Sequence, residues 1–331
     1  MQEKTKKSVM AILGALQGRK KPVGATRIAR EIRAYGVNLS QRTVRHYLAW
    51  TDRKGFTKKV GRRGRVITNT GAREVADSFV FEKVGLVVSK IDELSYRMSF
   101  SLSRLSGSII LNISTIRTEN APSAVERILP VFEAGLGMGR VLVFRKEREE
   151  MGDFVVPTGR IAIGTVCSVT INGIFLKAGI PVTSRFGGLM EMKNRKPVRF
   201  TQLINYDGTT LDPLEIFIKG KMTSVSKVVS TGNGTIGASF REIPSAALHE
   251  AEKLRKKLEE IGLGAIIMIG RPSQPLLDIP VSEGRTGMVV LPGLNPLAAC
   301  EEEGIETGNV AMGALFDFEE LVEYGRLREL A

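Results

Sequence analysis

The sequence predicts an α/β (α+β) protein. A winged helix-turn-helix occupies residues 1–82, and residues 83–331 form a domain built from two similar α/β lobes, about 83–205 and 206–331. Three observations predict this. A capped helix with a cationic face follows two short helices and precedes a basic hairpin. The whole basic excess of the chain sits on its first quarter. The remaining three quarters contain an internal duplication.

The chain has 331 residues, 43% hydrophobic and 25% charged, which is long for one core and ordinary for a globular protein of two or three domains. Its formal charge of +13 is unevenly placed: residues 1–80 carry +14 and the rest −1. That distribution is the electrostatic footprint of a unit that neutralises phosphates, since solubility gives no reason to concentrate charge there. Cys167 and Cys300 cannot make a disulfide framework, and so few cysteines point to a reducing, cytoplasmic setting. His46 and His249 are the only imidazoles, so zinc hydrolysis and Ser-His-Asp chemistry are poorly supplied. No apolar run approaches the roughly 18 residues of a membrane span, and the N-terminus does not resemble a signal peptide. A soluble protein with no membrane partner is expected.

Val9, Ile12, Leu13 and Leu16 recur at helical spacing and predict a first helix over about 4–17. Thr26 opens a second, with Ile28 and Ile32 inward and Arg27, Arg30 and Arg33 outward. After a short turn, Ser40 is placed to cap a third helix whose inward positions are Val44 and Leu48. Gln41, Arg42, Thr43, Arg45 and His46 then form the face expected to enter a DNA groove. Arg suits guanine and Gln suits adenine, at about 1 to 3 kcal/mol of discrimination each. The segment Lys58-Lys59-Val60-Gly61-Arg62-Arg63-Gly64-Arg65-Val66-Ile67 reads as a hairpin with a cationic tip. Lys58, Lys59, Arg62, Arg63 and Arg65 are the expected phosphate contacts, with Arg62 or Arg63 able to reach a minor groove. Trp50 and Phe56 belong to the core of this small unit, and a fourth helix from Asn69 to about Phe81 leads out of it.

In the duplicated region, Pro122-Ser123-Ala124 opens a helix ending at Gly135-Leu136-Gly137, followed by the strand Val141–Phe144. About 122 residues later Pro244-Ser245-Ala246 opens a helix ending at Gly262-Leu263-Gly264, followed by Ile266–Ile269. Gly164-Thr165-Val166 matches Gly287-Met288-Val289, and Gly179-Ile180 through Gly187-Gly188-Leu189 matches Gly304-Ile305 through Met312-Gly313-Ala314. Extended segments at Gly107–Asn112 and Gly234–Phe240 precede the two helices. Each half therefore reads strand, helix, strand, strand, short helix, strand, and two packed lobes leave a crevice suited to a small ligand.

One stretch departs from core logic. Gly164–Gly173 is followed by Gly179-Ile180-Pro181-Val182-Thr183-Ser184-Arg185-Phe186-Gly187-Gly188. Glycines permit close backbone approach, hydroxyls add short donors, and Arg185 offers a planar fork for a carboxylate. Thr165, Cys167, Ser168, Thr183, Ser184, Arg185, Gly187 and Gly188 are the candidate effector contacts. An alternative is a glycine-rich turn between buried strands, with Arg185 in an ordinary salt bridge. The second copy has Gly308-Asn309-Val310-Ala311-Met312 at the matching place, so it lacks the arginine.

Residues Leu39–Leu48 with Gly61-Arg62-Arg63-Gly64-Arg65-Val66-Ile67-Thr68 resemble the winged helix of the archaeal nitrogen-regulation repressors, the NrpR family. The motif Gly164–Gly173 with Lys177–Gly188 is similar to the signature of that family's regulatory domain, and the chain has room for one such domain. The resemblance implies a transcriptional repressor of nitrogen-assimilation genes that binds double-stranded DNA as a homodimer or higher homo-oligomer. It also implies release by 2-oxoglutarate, a small dicarboxylate effector; beside it, the scarcity of imidazoles and of ligand-spaced clusters leads to the expectation of no cofactor, no metal and no catalytic activity. Loss of the 2-oxoglutarate response in Arg185→Ala is the expectation that follows. Two other readings stand beside it: a regulator answering to a different small carboxylate, and an enzyme fused to a DNA-binding domain, with Cys167 as nucleophile or Asp and Glu residues as acid and base.

Overall fold

The structure is a computed structural model that describes residues 3–16, 19, 21–35, 37–61, 63–72 and 86–330. The chain falls into two compact units, 1–85 and 86–331. The expected boundary near residue 82, Arg62, and most of the expected fourth helix lie outside the described residues; residues 69–72 are helical.

In the first unit, α1 (Glu3–Gly14), α2 (Ala25–Glu31) and α3 (Gln41–Arg53) pack before a hairpin of β1 (Thr57–Val60) and β2 (Gly64–Ile67). Ile12, Leu16, Ile28, Ile32, Val44 and Leu48 form the core, while Trp50 and Phe56 close a satellite over Val9 and Leu13. Val23 bridges Arg65 through two backbone hydrogen bonds of 2.9 and 3.0 Å, which adds a third strand position to the wing. Gly64 makes that approach possible, because its φ is +127° and a Cβ there would lie 2.3 Å from the Val23 carbonyl oxygen.

The second unit begins with α4 (Val87–Arg97). The first repeat contains β3 (Ser108–Arg117), α5 (Ala121–Glu133), β4 (Val141–Arg145), a small hairpin of β5 (Glu150–Met151) and β6 (Phe154–Val155), β7 (Arg160–Val166), α6 (Val169–Lys177) and β8 (Thr183–Lys193). β9 (Lys196–Asn205), α7 (Pro213–Lys219) and α8 (Val225–Thr231) connect it to the second. That repeat has β10 (Gly234–Pro244), α9 (Leu248–Glu260), β11 (Ile266–Ile269), β12 (Arg285–Val290), α10 (Asn295–Glu302) and β13 (Thr307–Asp317), and β14 (Val322–Glu323) follows. The predicted order of elements is present in both copies. Gly135 and Gly262, with φ of +66° and +80°, end the two long helices in the left-handed conformation.

The sheets do not follow the repeats. One has the order β11-β12-β10-β8-β9 and the other β13-β3-β7-β4-β14, with every pair antiparallel. Each repeat is a β-α-β-β-α-β unit of ferredoxin-like order whose closing strand has been exchanged. β8 of the first repeat pairs with β10 of the second, and β13 of the second pairs with β3 of the first. The contiguous lobes 83–205 and 206–331 expected from the sequence are therefore interlaced. Leu297 and Cys300 of α10 join the core formed by α5 and one face of the β3-β7-β4 sheet. A central core draws Ile109, Leu111 and Ile113 together with Ile243, Met288 and Val290, so both sheets share it. Among the described residues, no helix is long and apolar enough to cross a membrane.

Candidate DNA-binding surface and interlobe polar cluster

The Ser40 side chain accepts the Thr43 backbone N–H at 3.1 Å, the cap the sequence predicts, worth about 1 kcal/mol to α3. Burial of Val44, Leu48 and Thr51 then turns Arg42, Arg45 and His46 outward. Gln41 is also exposed, but its Nε2 donates to Thr26 Oγ1 on α2 at 2.5 Å, and the Thr43 hydroxyl is held by Ser40 at 2.8 Å. On the wing, Lys58, Lys59 and Arg63 are exposed and without an ionic partner among the described residues. Arg65 differs from its expected role. Its Nε pairs with Asp52 Oδ2 at 2.8 Å, and Asp52 also accepts Thr57 Oγ1 at 2.6 Å. This partly buried network ties the wing to α3 and leaves Arg65 a structural cation.

The expected effector residues separate into two groups. Thr165, Cys167, Ser168, Gly187 and Gly188 are buried, whereas Thr183 and Arg185 are exposed and Ser184 is half-buried. Arg185 is the extra residue of a β-bulge, since Phe240 faces Phe186 and Arg241 faces Ser184. The bulge directs it to Glu242, with which it pairs; its side chain is 42% exposed and that of Glu242 only 4%. Arg285 also lies against Glu242, at 3.9 Å, and donates to Thr183 Oγ1 at 2.8 Å. Arg185 and Thr183 thus belong to an ion-paired rim, which is the salt-bridge alternative read from the sequence. Gly188 has a packing duty: a Cβ there would meet the Gln202 carbonyl oxygen at 2.7 Å and Phe200 at 2.9 Å.

The residue that organises the buried group is Arg241 on β10. It is 1% exposed, and its guanidinium donates to the Ser168 carbonyl at 2.7 Å, Ser168 Oγ at 2.8 Å and Asn172 Oδ1 at 2.5 Å. Asn172 passes the connection on to Ser184 Oγ at 3.0 Å. All of these partners are neutral, and Arg241 Nε has none. The buried Thr165 Oγ1 is likewise unpartnered, and it lies with Asn112 Nδ2 against Gly293, where a Cβ would come within 3.0 Å of either. Burial lowers the Arg241 pKa, opposed by the nearby Tyr206, Cys167 and Asp212. Asp212, which caps α7 through the Leu214 N–H at 2.9 Å, is pushed up to about 6 by burial and by Glu215. Burial raises Glu215 as well, although its carboxylate accepts the Ala311 N–H.

Lys90 Nζ of α4 donates to the Ala311 carbonyl at 3.2 Å, and the N–H of that same peptide, from Met312, donates to Asn112 Oδ1 at 3.2 Å. Residues 311–313 face Asn112 alone in the strand register, and Met312 has φ +54°. The second copy of the effector motif is therefore an unusual bulge clasped by α4, α7 and β3. Arg241 and Glu242 were visible in the sequence as two adjacent charges within an apolar strand. Periodicity alone assigns such a pair to a strand end or a solvated face.

A winged helix with a free cationic reading face, in one chain with a two-lobed α+β unit, defines a DNA-binding transcription regulator. The profile described as NrpR regulatory domains NRD1 and 2 matches residues 84–323, and that of the ribonuclease R winged-helix domain matches residues 10–75. The chain is 36% identical over 324 residues to the global nitrogen regulator NrpRI of Methanosarcina mazei, covering 98% of this chain and 99% of that protein. It is 30% identical over 294 residues to the global nitrogen regulator NrpR of Methanococcus maripaludis, covering 88% of this chain and 51% of that one. The chain thus spans about half the length of the second relative. A crystal structure of a nitrogen repressor-like protein from Methanococcus jannaschii superposes with a TM-score of 0.62 at 28% identity, covering 72% of this chain and 98% of that one. The chain belongs to the NrpR family of nitrogen regulators.

Proposed function

We propose that this chain represses nitrogen-assimilation genes as a homodimer and is released from its operator by 2-oxoglutarate. The names of its relatives support the nitrogen assignment, and the winged helix supports DNA as the partner. One observation carries the effector reading: Arg241 is a fully buried guanidinium whose hydrogen-bond partners are all neutral, with Nε unpartnered. Arginine cannot shed its charge, and a buried guanidinium that is hydrogen-bonded only to neutral groups, with Asp212 nearby but not ion-paired to it, is costly. A carboxylate is the ligand chemistry that answers it, and the Ser168 hydroxyl that Arg241 already contacts suits a further oxygen of a small dicarboxylate. Asp212 and Cys167 lie near enough to act electrostatically on Arg241, and Asp212 in turn acts with Glu215, which holds the Ala311 N–H. An effector that separates Arg241 from its neutral partners therefore binds two arrangements of the unit unequally, as a switch requires.

Burial pushes the Cys167 thiol up to about 11, which argues against the thiolate-nucleophile form of the enzyme alternative. Operator-fragment titration with and without 2-oxoglutarate, at one stated salt concentration, tests the proposal. Wild-type protein should lose operator affinity on adding 2-oxoglutarate, and Arg241→Met should bind the operator without responding. Arg185→Ala should keep the response, because Glu242 already holds that side chain. An unchanged response in Arg241→Met would remove Arg241 from the site. No effect of 2-oxoglutarate on wild type, with another carboxylate active in calorimetry, would replace the effector.

A further inference from the structure

A cavity of about 480 Å³ opens between the turn at residues 99–106 and the flanks of α6 and α9, away from the Arg241 cluster in its lining residues. Its floor is apolar, made of the buried Phe100, Ile174 and Leu254. Its rim carries three exposed cations, Arg104, Lys177 and Lys257, and no Asp or Glu lines it. None of the three has an ionic or hydrogen-bonding side-chain partner among the described residues. Acids are available nearby, since on the same helix Lys253 pairs with Glu250 and Arg255 with Glu252. Lys177 and Lys257 also offset the partial negative charge of the last turns they occupy, but Arg104 sits on a turn with no helix end to serve. Hydroxyls complete the wall, with Ser101 and Ser103 in mutual contact at 3.2 Å.

We propose that this cavity binds a phosphorylated small molecule with an apolar or aromatic body, of nucleotide size. The apolar floor takes the body. Three converging cations left free by a unit of nearly balanced charge take the phosphates. Calorimetry of the full chain with ATP, and separately with pyrophosphate, tests it. ATP should bind saturably, and pyrophosphate should bind at least tenfold more weakly because it leaves the floor unused. The exposed double variant Arg104→Glu/Lys257→Glu should weaken ATP at least tenfold while 2-oxoglutarate still binds as in wild type. Absence of saturable ATP binding at millimolar concentration, or ATP binding undiminished in the double variant, would overturn the site. Equal affinity for pyrophosphate would overturn the apolar-body assignment.

Discussion

Arg241, fully buried, and Asp212, half-buried beside it, are two charged groups of the regulatory unit, and each has a measurable consequence. For Arg241 the consequence is ligand dependence: bound carboxylate should raise the unfolding temperature of wild type and leave Arg241→Met unchanged, readable by calorimetry. For Asp212 it is pH dependence. Its folded pKa of about 6 lies above the ordinary value of 3.8, so the folded state holds this proton more tightly than the unfolded state. Stability is therefore undiminished by this group below about pH 3.8, falls as pH rises from there, and has lost the full amount once pH passes 6. Thermal melts should show stability falling between about pH 4 and pH 6 and levelling off above it in wild type, with a flatter profile and a higher unfolding temperature at pH 7 in Asp212→Asn. The asparagine keeps the cap on Leu214 while removing the charge. Neither group could be read from sequence, because both shifts arise from neighbours brought in by other strands and helices.

Among the elements, α3 and its wing were the most legible, since a cap, a helical stripe and a glycine-punctuated basic hairpin are local signals. The roles within them were less so. Arg65 looked like its basic neighbours in the sequence, and only the fold shows Asp52 beneath it. Arg65→Ala should lower stability by about 1 to 3 kcal/mol by leaving a partly buried carboxylate short of its partner, with base preference unchanged. Arg42→Ala or Arg45→Ala should instead cost about 1 to 3 kcal/mol of operator affinity and relax preference at one base position. Lys58→Ala and Arg63→Ala should weaken all sequences alike and reduce the salt slope by about 1 each. Operator selection and salt titration separate these outcomes. The bulges of β8 and β13 were illegible for a related reason: a bulge is a property of two strands in register, and the sequence displays one strand at a time.

At the scale of the whole regulatory unit, strand exchange makes the two repeats mutually dependent. β3 and β10 each lose their outer neighbour if the other repeat is missing, and the central core loses one of its two walls. Denaturant unfolding of residues 86–331 should therefore be one cooperative transition by tyrosine fluorescence and circular dichroism alike, where independently cored lobes would give two. The duplication itself was evident from matching segments at a fixed offset. Its interlacing was hidden, because the two closing strands are alike enough that either sheet satisfies the pattern of each.

By itself the sequence determined the two-unit plan, the capped reading helix, the cationic wing, the order of elements in both repeats and the family signature. These are carried by local chemistry: capping geometry, periodicity, charge density and repeated spacing. Tertiary structure alone decided which sheet each closing strand joins, which arginine is ion-paired and which is buried among neutral partners, and which carboxyls have a raised pKa. Those outcomes depend on distances between residues tens to hundreds of positions apart, as in Arg241 with Ser168 or Lys90 with Ala311. A linear pattern holds no record of such distances until the chain has folded.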